Sequence, residues 1–335
     1  MKKLLSLTLV LSMMAMLFAS CNNDADNSVE TSSTPAETVT MQIAGMRGPT
    51  TMGMVKLMED SANGETLHDY QVTMYGTADE IVPKLIQGEI DIAAVPANLA
   101  SVLYNQTEGA VQVLAINTLG VLYMVETGDS ITTVEDLRGK TIYTTGKGTT
   151  PEYVLTYILQ ENGLTVGEDV TIEYFAEATE VAARLAEADN AIAMLPQPYA
   201  TAVQAQNQNI RIALNMTEEW EKVAEGSSLV TGVVVARTAF IEEHPQAVQD
   251  FLAEYESSVN YVNTNTEDAA ALIVKYEIVA AEPIAVKALP LCNITYIDGA
   301  DMQTKLGGYL EVLYNQNPQA VGGTLPDEAF YYKKA

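Results

Sequence analysis

EIVPKLIQGEIDIAAVPANLA (residues 80–100) and EVAARLAEADNAIAMLPQPYA (180–200) can be laid on each other at an offset of 100. Six of the 21 positions are identical, among them Glu80/Glu180, Leu85/Leu185, Ile92/Ile192 and Pro96/Pro196. Lys84/Arg184 and Glu89/Asp189 agree in charge. Upstream, IAGMRGPTT (43–51) lies on IYTTGKGTT (142–150) at an offset of 99. A shared helix–strand pattern accounts for the apolar positions. It does not dictate a Pro just past each strand, nor a Thr-Thr pair opening both helices. A period near 100 residues is too long for a solenoid and suits two related α/β lobes.

Working outward, short apolar runs alternate with helical patterns. Strands are expected at 39–44, 70–75, 90–95, 111–116, 141–144, 170–175, 191–195 and 209–214. Several are near-continuous Val/Ile/Leu/Ala/Met runs, as for strands covered on both faces. Thr77-Ala78-Asp79-Glu80 reads as a capping box, with Gly88 as the stop. Thr150 reads as an N-cap before Pro151, and Asn162-Gly163 ends that helix. Such alternation predicts βαβ units and mostly parallel sheets.

Two further apolar runs, 120–126 (GVLYMVE) and 229–236 (LVTGVVVA), bracket the second repeat. If both cross between lobes, lobe one is 39–126 plus 229–335 and lobe two is 127–228. Two connections of this kind permit hinge closure over a cleft.

The start of the chain carries a separate signal. Lys2 and Lys3 precede an uncharged stretch, Leu4 to Ala19, and then Ser20-Cys21. Residues 1–20 read as a secretory signal peptide, too short to span a membrane. Phe18-Ala19-Ser20-Cys21 resembles a bacterial lipobox, in which the acylated cysteine, here Cys21, is the lipid anchor. Residues 21–38 lack large apolar groups except Val29 and read as a disordered tether of about 20–25 Å. The expected location is the outer face of the bacterial cytoplasmic membrane.

Composition removes several function classes. The formal charge of −27 leaves no basic surface for nucleic acid. His68 and His244 are the only imidazoles, so a three-His metal site is excluded and a Ser-His-Asp triad has two candidates. His68 precedes a strand, and His244 stands at a helix start where capping is the simpler role. Trp220, the single Trp, reads as a surface or lobe-packing residue. Cys292 is expected to be a buried, inert thiol. No catalytic residue, cofactor or metal is expected, and the body reads as a monomer.

In an open parallel sheet, ligands bind outside the carboxyl ends of the strands. Four loops qualify: 46–51 (MRGPTT), 96–98 (PAN), 145–150 (TGKGTT) and 196–199 (PQPY). Helix N-termini there attract anionic or polar groups, and Gly48, Gly146 and Gly148 admit close backbone approach. Arg47 and Lys147 correspond within one residue and complement an anion. The candidates are thus Arg47, Gly48, Pro49, Thr50, Thr51, Pro96, Asn98, Gly146, Lys147, Gly148, Thr149, Thr150, Gln197, Tyr199 and Thr231. The first helix has no acid until Glu59 and reads as the better anion site. Replacing Thr50 and Thr51 together by Val is expected to weaken binding while the fold survives.

At these residues the chain resembles solute-binding lipoproteins of ABC importers, in the nitrate/sulfonate/taurine and thiamine-precursor branch. The resemblance rests on Leu85-x-x-Gly88-Glu89-Ile90-Asp91-Ile92-Ala93, on Asp136-Leu137-Arg138-Gly139-Lys140, and on Pro245 opening a long helix through Val248 and Phe251. It implies a two-lobed periplasmic-binding-protein type II fold, each lobe a mostly parallel sheet flanked by helices, with two hinge crossovers. It implies capture of a small polar or anionic solute by hinge closure, and delivery to the permease's transmembrane subunits. The alternatives are an enzyme of pyrimidine or menaquinone precursor metabolism on the same fold, and a sensory or partner-docking domain.

Overall fold

The computed structural model describes residues 38–334 apart from 188 and 225. The signal segment, Cys21 and all but the last residue of the tether lie outside the described residues.

The chain first lays down β1 (Thr40–Met46), α1 (Pro49–Met52), α2 (Val55–Ala62), β2 (Asp69–Tyr75), α3 (Ala78–Gln87), β3 (Ile92–Pro96), α4 (Ala97–Gln106) and β4 (Val111–Leu119). It then builds a second unit from β5 (Leu122–Thr127), β6 (Thr141–Thr145), α5 (Thr150–Glu161), β7 (Thr171–Phe175), α6 (Ala178–Glu187), β8 (Ile192–Pro196), α7 (Tyr199–Gln206), β9 (Ile210–Asn215) and α8 (Met216–Val223). It returns through β10 (Val230–Arg237), α9 (Thr238–Glu243), α10 (Pro245–Thr264), α11 (Thr266–Lys275), α12 (Glu282–Ala288), β11 (Ile294–Ile297) and α13 (Gly299–Gln316).

Two sheets result, ordered β11-β4-β10-β3-β1-β2 and β7-β6-β8-β5-β9. The repeat reappears as register: Ile43 faces Ile92 in the first sheet, and Ile142 faces Ile192 in the second. Both are parallel pairs, and β1–β2 and β6–β7 are parallel as well. The eight expected strands are all present, within one to three residues at each end.

The two apolar runs expected to cross between lobes do something else. Residues 122–127 form β5, antiparallel between β8 and β9, and 230–237 form β10, antiparallel between β3 and β4. An uninterrupted apolar run belongs in a central strand buried on both faces, not in a hinge. The first crossing is therefore confined to Gly120-Val121, and the boundary expected at 126 moves back to 121. A Cβ at Gly120 would lie 2.0 Å from the Thr217 hydroxyl, so only glycine passes there.

Local capping follows the expected chemistry at α3, where Thr77 and Glu80 form the box and Gly88 takes φ 79°. Asp136 plays a comparable part. Its carboxylate accepts the Thr132 and Thr133 N–H groups, both at 2.9 Å, and the Thr132 hydroxyl at 2.8 Å. Those bonds pull its pKa down to about 2.

Three apolar clusters fill the molecule. One lies under α10–α12 in lobe one and one within lobe two. The third runs across the lobe boundary, joining Tyr309 and Leu310 of α13 to Val154 and Ile158 of α5 and to Trp220 of α8. Trp220 is fully buried, 4.9 Å from the Tyr157 ring and 5.6 Å from that of Tyr309. Of its two expected settings, lobe packing is the one observed.

Candidate functional site

A cavity of about 520 Å³ opens at the carboxyl end of β1. Arg47 and Gly48 line it from lobe one, and Tyr199 and Ala202 from α7 of lobe two. The corner between α11 and α12 closes the third side with Glu277 and Ile278. Among the lining residues Arg47 is the cation and Glu277 the anion; most of the rest is apolar. Such a wall with few polar groups is typical of small-molecule sites.

The loop carrying Arg47 is held by internal bonds. The Thr51 hydroxyl donates to the Met46 carbonyl at 2.7 Å, and Thr51 is fully buried. Asn117 donates to the Thr50 carbonyl at 2.9 Å. A Cβ at Gly232 would lie 2.5 Å from Thr50 Cγ2, so glycine on β10 lets this loop seat. Thr50 and Thr51 therefore build the loop, and their joint replacement by Val would disturb the fold as well as binding. The helix expected to start there is a single turn beginning at Pro49, with Gly48 at its cap. One turn carries little dipole.

The matching loop of lobe two is self-satisfied. The Thr149 hydroxyl donates to the Gly146 carbonyl at 2.7 Å, and the Glu152 carboxylate accepts the Gly148 N–H. Gly146 and Gly148 both sit at φ 77°. Lys147 turns to the Tyr174 ring, 5.7 Å from its centroid. Thr149, not Thr150, occupies the cap position of α5. An internal carboxylate thus takes the place that an anionic ligand would need.

Pro96 ends β3 and enters α4 without a polar role. Asn98 donates through Nδ2 to the Ala320 carbonyl at 3.2 Å and accepts through Oδ1 from the Thr150 hydroxyl at 3.3 Å. Gln197 is 1% exposed; its Oε1 accepts the Thr201 hydroxyl at 2.8 Å and the Thr201 N–H at 3.3 Å. That fixes the amide, and its Nε2 has no hydrogen-bond partner among the described residues. The Thr231 hydroxyl on β10 is likewise buried and unpartnered among them. Each is a donor in a place where an unmade bond is costly.

Of the candidates, then, Arg47, Gly48 and Tyr199 share the cavity, while Thr150 and Asn98 meet across the lobes. Pro49, Thr50, Thr51, Pro96, Gly146, Lys147, Gly148 and Thr149 are not among its lining residues. Glu277 was not foreseen. It ends α11 at φ 57°, a left-handed position usually given to Gly or Asn, and nothing in the repeat points to it.

Neither imidazole is near this cavity. His68 Nδ1 accepts the Val39 N–H at 3.2 Å, and Nε2 lies 3.1 Å from Asp250. His244 stands at the cap position of α10, but its side chain makes no cap bond, so the capping role is not realised by the imidazole. Among the described residues no group of three or more His, Cys, Asp or Glu is arranged to hold a metal, and no helix is long and apolar enough to cross a membrane. Cys292 is fully buried, and burial pushes its thiol up to about 12. Iodoacetamide labelling at pH 8 should leave the Cys292 peptide unmodified until the protein is unfolded, as peptide mass mapping will show.

Two α/β lobes joined by two crossings, with a cavity lined from both, define a two-lobed periplasmic solute-binding fold. Solved structures share it. An ABC transporter protein of Parabacteroides distasonis superposes with TM-score 0.74 at 22% identity, over 88% of this chain and 99% of that one. The periplasmic aliphatic sulphonate binding protein of Escherichia coli gives 0.70 at 15%, over 88% and 92%. The periplasmic nitrate-binding protein of Synechocystis gives 0.57 at 13%, over 81% and 76%. No curated protein sequence is significantly similar to this chain.

Residues 62–286 match the family described as ABC transporter, phosphonate, periplasmic substrate-binding protein, and the chain belongs to that family. It is the exported solute-binding component of an ABC importer, with a small solute and a permease as its partners.

Proposed function

We propose that this protein captures a small organic anion with an apolar body, using Arg47 as the cation and the α11–α12 corner as the apolar wall. The observation that carries the reading is the cavity itself. Its 520 Å³ falls within the roughly 300–1,000 Å³ of small-molecule sites and far exceeds the room an inorganic oxyanion needs. Tyr199, at 43% exposure, offers its ring as the part of lobe two that closes on the solute.

The role is non-catalytic and monomeric in this reading. Neither imidazole lines the cavity, and His68 is taken up by Val39 and Asp250, which supports the non-catalytic part. The signal peptide and acylated Cys21 would hold the body outside the cytoplasmic membrane; Cys21→Ser should release it from the membrane fraction.

Mass spectrometry of material released from the purified protein identifies the solute. Arg47→Gln should then weaken its binding about 10–100-fold in calorimetric titration, the worth of one hydrogen bond to a charged group. Unchanged affinity would remove Arg47 from the site and this reading with it.

A further inference from the structure

We infer that Tyr309 and Asn98 of lobe one grip the Thr150 hydroxyl of lobe two as a latch that holds the lobes closed without solute. The inference rests on the solute-capture reading and concerns the regulation of that same site. Thr150 opens α5 and is 6% exposed. Its hydroxyl donates to Asn98 Oδ1 at 3.3 Å and accepts from the Tyr309 hydroxyl at 3.3 Å. The acceptor side of Asn98 is held in place because its Nδ2 is committed to the Ala320 carbonyl at 3.2 Å. Tyr309 is fully buried, and burial raises the pKa of its phenol, which keeps the proton it donates.

The same tyrosine makes a second contact across the boundary, its ring 5.6 Å from Trp220 on α8. α13 packs on β4, α4 and β10 of lobe one and also on α5 of lobe two, through the apolar cluster that crosses the boundary. Within that contact Tyr309 supplies both a polar and an aromatic hold on lobe two. Both latch bonds, at 3.3 Å, are longer than the roughly 2.7–2.8 Å usual when a hydroxyl donates to oxygen, so each is weak enough to be given up on opening. Thr150 has its one proton and one lone pair engaged inside the protein. In this proposal Thr150 serves closure, and Tyr309 and Asn98 act as positioning residues. Because apparent affinity scales with the closed fraction, the latch also sets how much binding energy is left for the solute.

The test uses the full chain after its solute has been removed. Tyr309→Phe keeps the ring and its packing on Trp220 and removes only the donor. It should shift the open:closed ratio about 2–10-fold toward open, the worth of one modest hydrogen bond. The shift should read as a larger radius of gyration in X-ray scattering and as stronger acrylamide quenching of Trp220. Thr150→Val should do the same, and Thr150→Ser should restore wild-type values. Circular dichroism establishes that each variant is folded; if Tyr309→Phe is not, Thr150→Val against Thr150→Ser decides. Unchanged scattering and quenching in the folded variants would overturn the latch. So would a loss of solute binding in Thr150→Val without any opening of the solute-free protein, because Thr150 would then be a solute contact. The solute-capture reading fails on a different result, the absence of any bound solute in the wild type.

Discussion

Glu126→Ala is expected to cost about 2–4 kcal/mol of stability, because it leaves the Ile131 and Ser130 donors without their acceptor and the partly exposed Arg211 guanidinium without its partner. Glu126 lies on β5 with its side chain fully buried. Its Oε1 accepts the Ile131 N–H at 3.0 Å, and its Oε2 accepts the Ser130 N–H at 3.1 Å and the Ser130 hydroxyl at 2.9 Å. Arg211 of β9 completes the set and also donates through Nε to the Gly128 carbonyl at 3.1 Å. Burial alone would raise the Glu126 pKa; the Ile131 and Ser130 bonds and the Arg211 charge more than offset it and hold it below the usual carboxylate range.

The sign of the pH dependence follows. A carboxylate whose pKa is depressed on folding contributes its stability above the unfolded value of about 4.3, and loses it as pH falls through the folded value. Urea unfolding should show a lower midpoint with an unchanged slope for Glu126→Ala. For Glu126→Gln, the stability gap to wild type should be full near pH 7 and should narrow on acidification below about pH 4. A gap that stayed constant with pH would mean that the charge is not what the site uses. Asp91 and Arg237, 2.7 Å apart, form a corresponding pair at the far end of the first sheet. In both lobes the charge pairs hold the end of the sheet away from the ligand loops.

Trp220→Ala should cost a further large amount, about 3–5 kcal/mol, as for other fully buried large aromatics. Here the loss falls on the cluster that crosses the lobe boundary. The cavity left would face Tyr157 of lobe two and Tyr309 of lobe one. The Nε1–H bond to the Ser227 hydroxyl, at 3.3 Å, would go as well. Trp220→Phe keeps most of the apolar volume and should lose roughly half as much. Thermal unfolding of the three proteins at one pH measures the series. Equal melting points for wild type and Trp220→Ala would show that the lobes do not depend on this packing.

The sequence segment around Trp220 illustrates what could not be read in advance. Met216, Val223 and Ala224 share a helix face with the indole, but the charged stretch from Glu218 to Lys222 gives no sign of which distant segments that face meets. Its partners come from α5 and α13, about 60 and 90 residues away. Thr51 and Thr150 show the same difficulty from the other side. They match at the offset of 99, yet the Thr51 hydroxyl is spent on the Met46 carbonyl of its own loop and that of Thr150 reaches across to Asn98. A duplicated backbone keeps its caps and turns while its side chains find different neighbours.

From the chain alone came the duplication, the positions of eight strands in βαβ units, the prolines that end β3 and β8, and the loops at the strand ends. These follow from local periodicity and from residues whose backbone demands are intrinsic. Tertiary structure alone decided that 122–127 is a strand of the second sheet, that Glu277 faces Arg47's cavity, and that Tyr309 meets Thr150. Each of those depends on packing between segments far apart in the chain. No local pattern carries that information, because any apolar or hydroxyl-bearing residue satisfies the periodicity equally well.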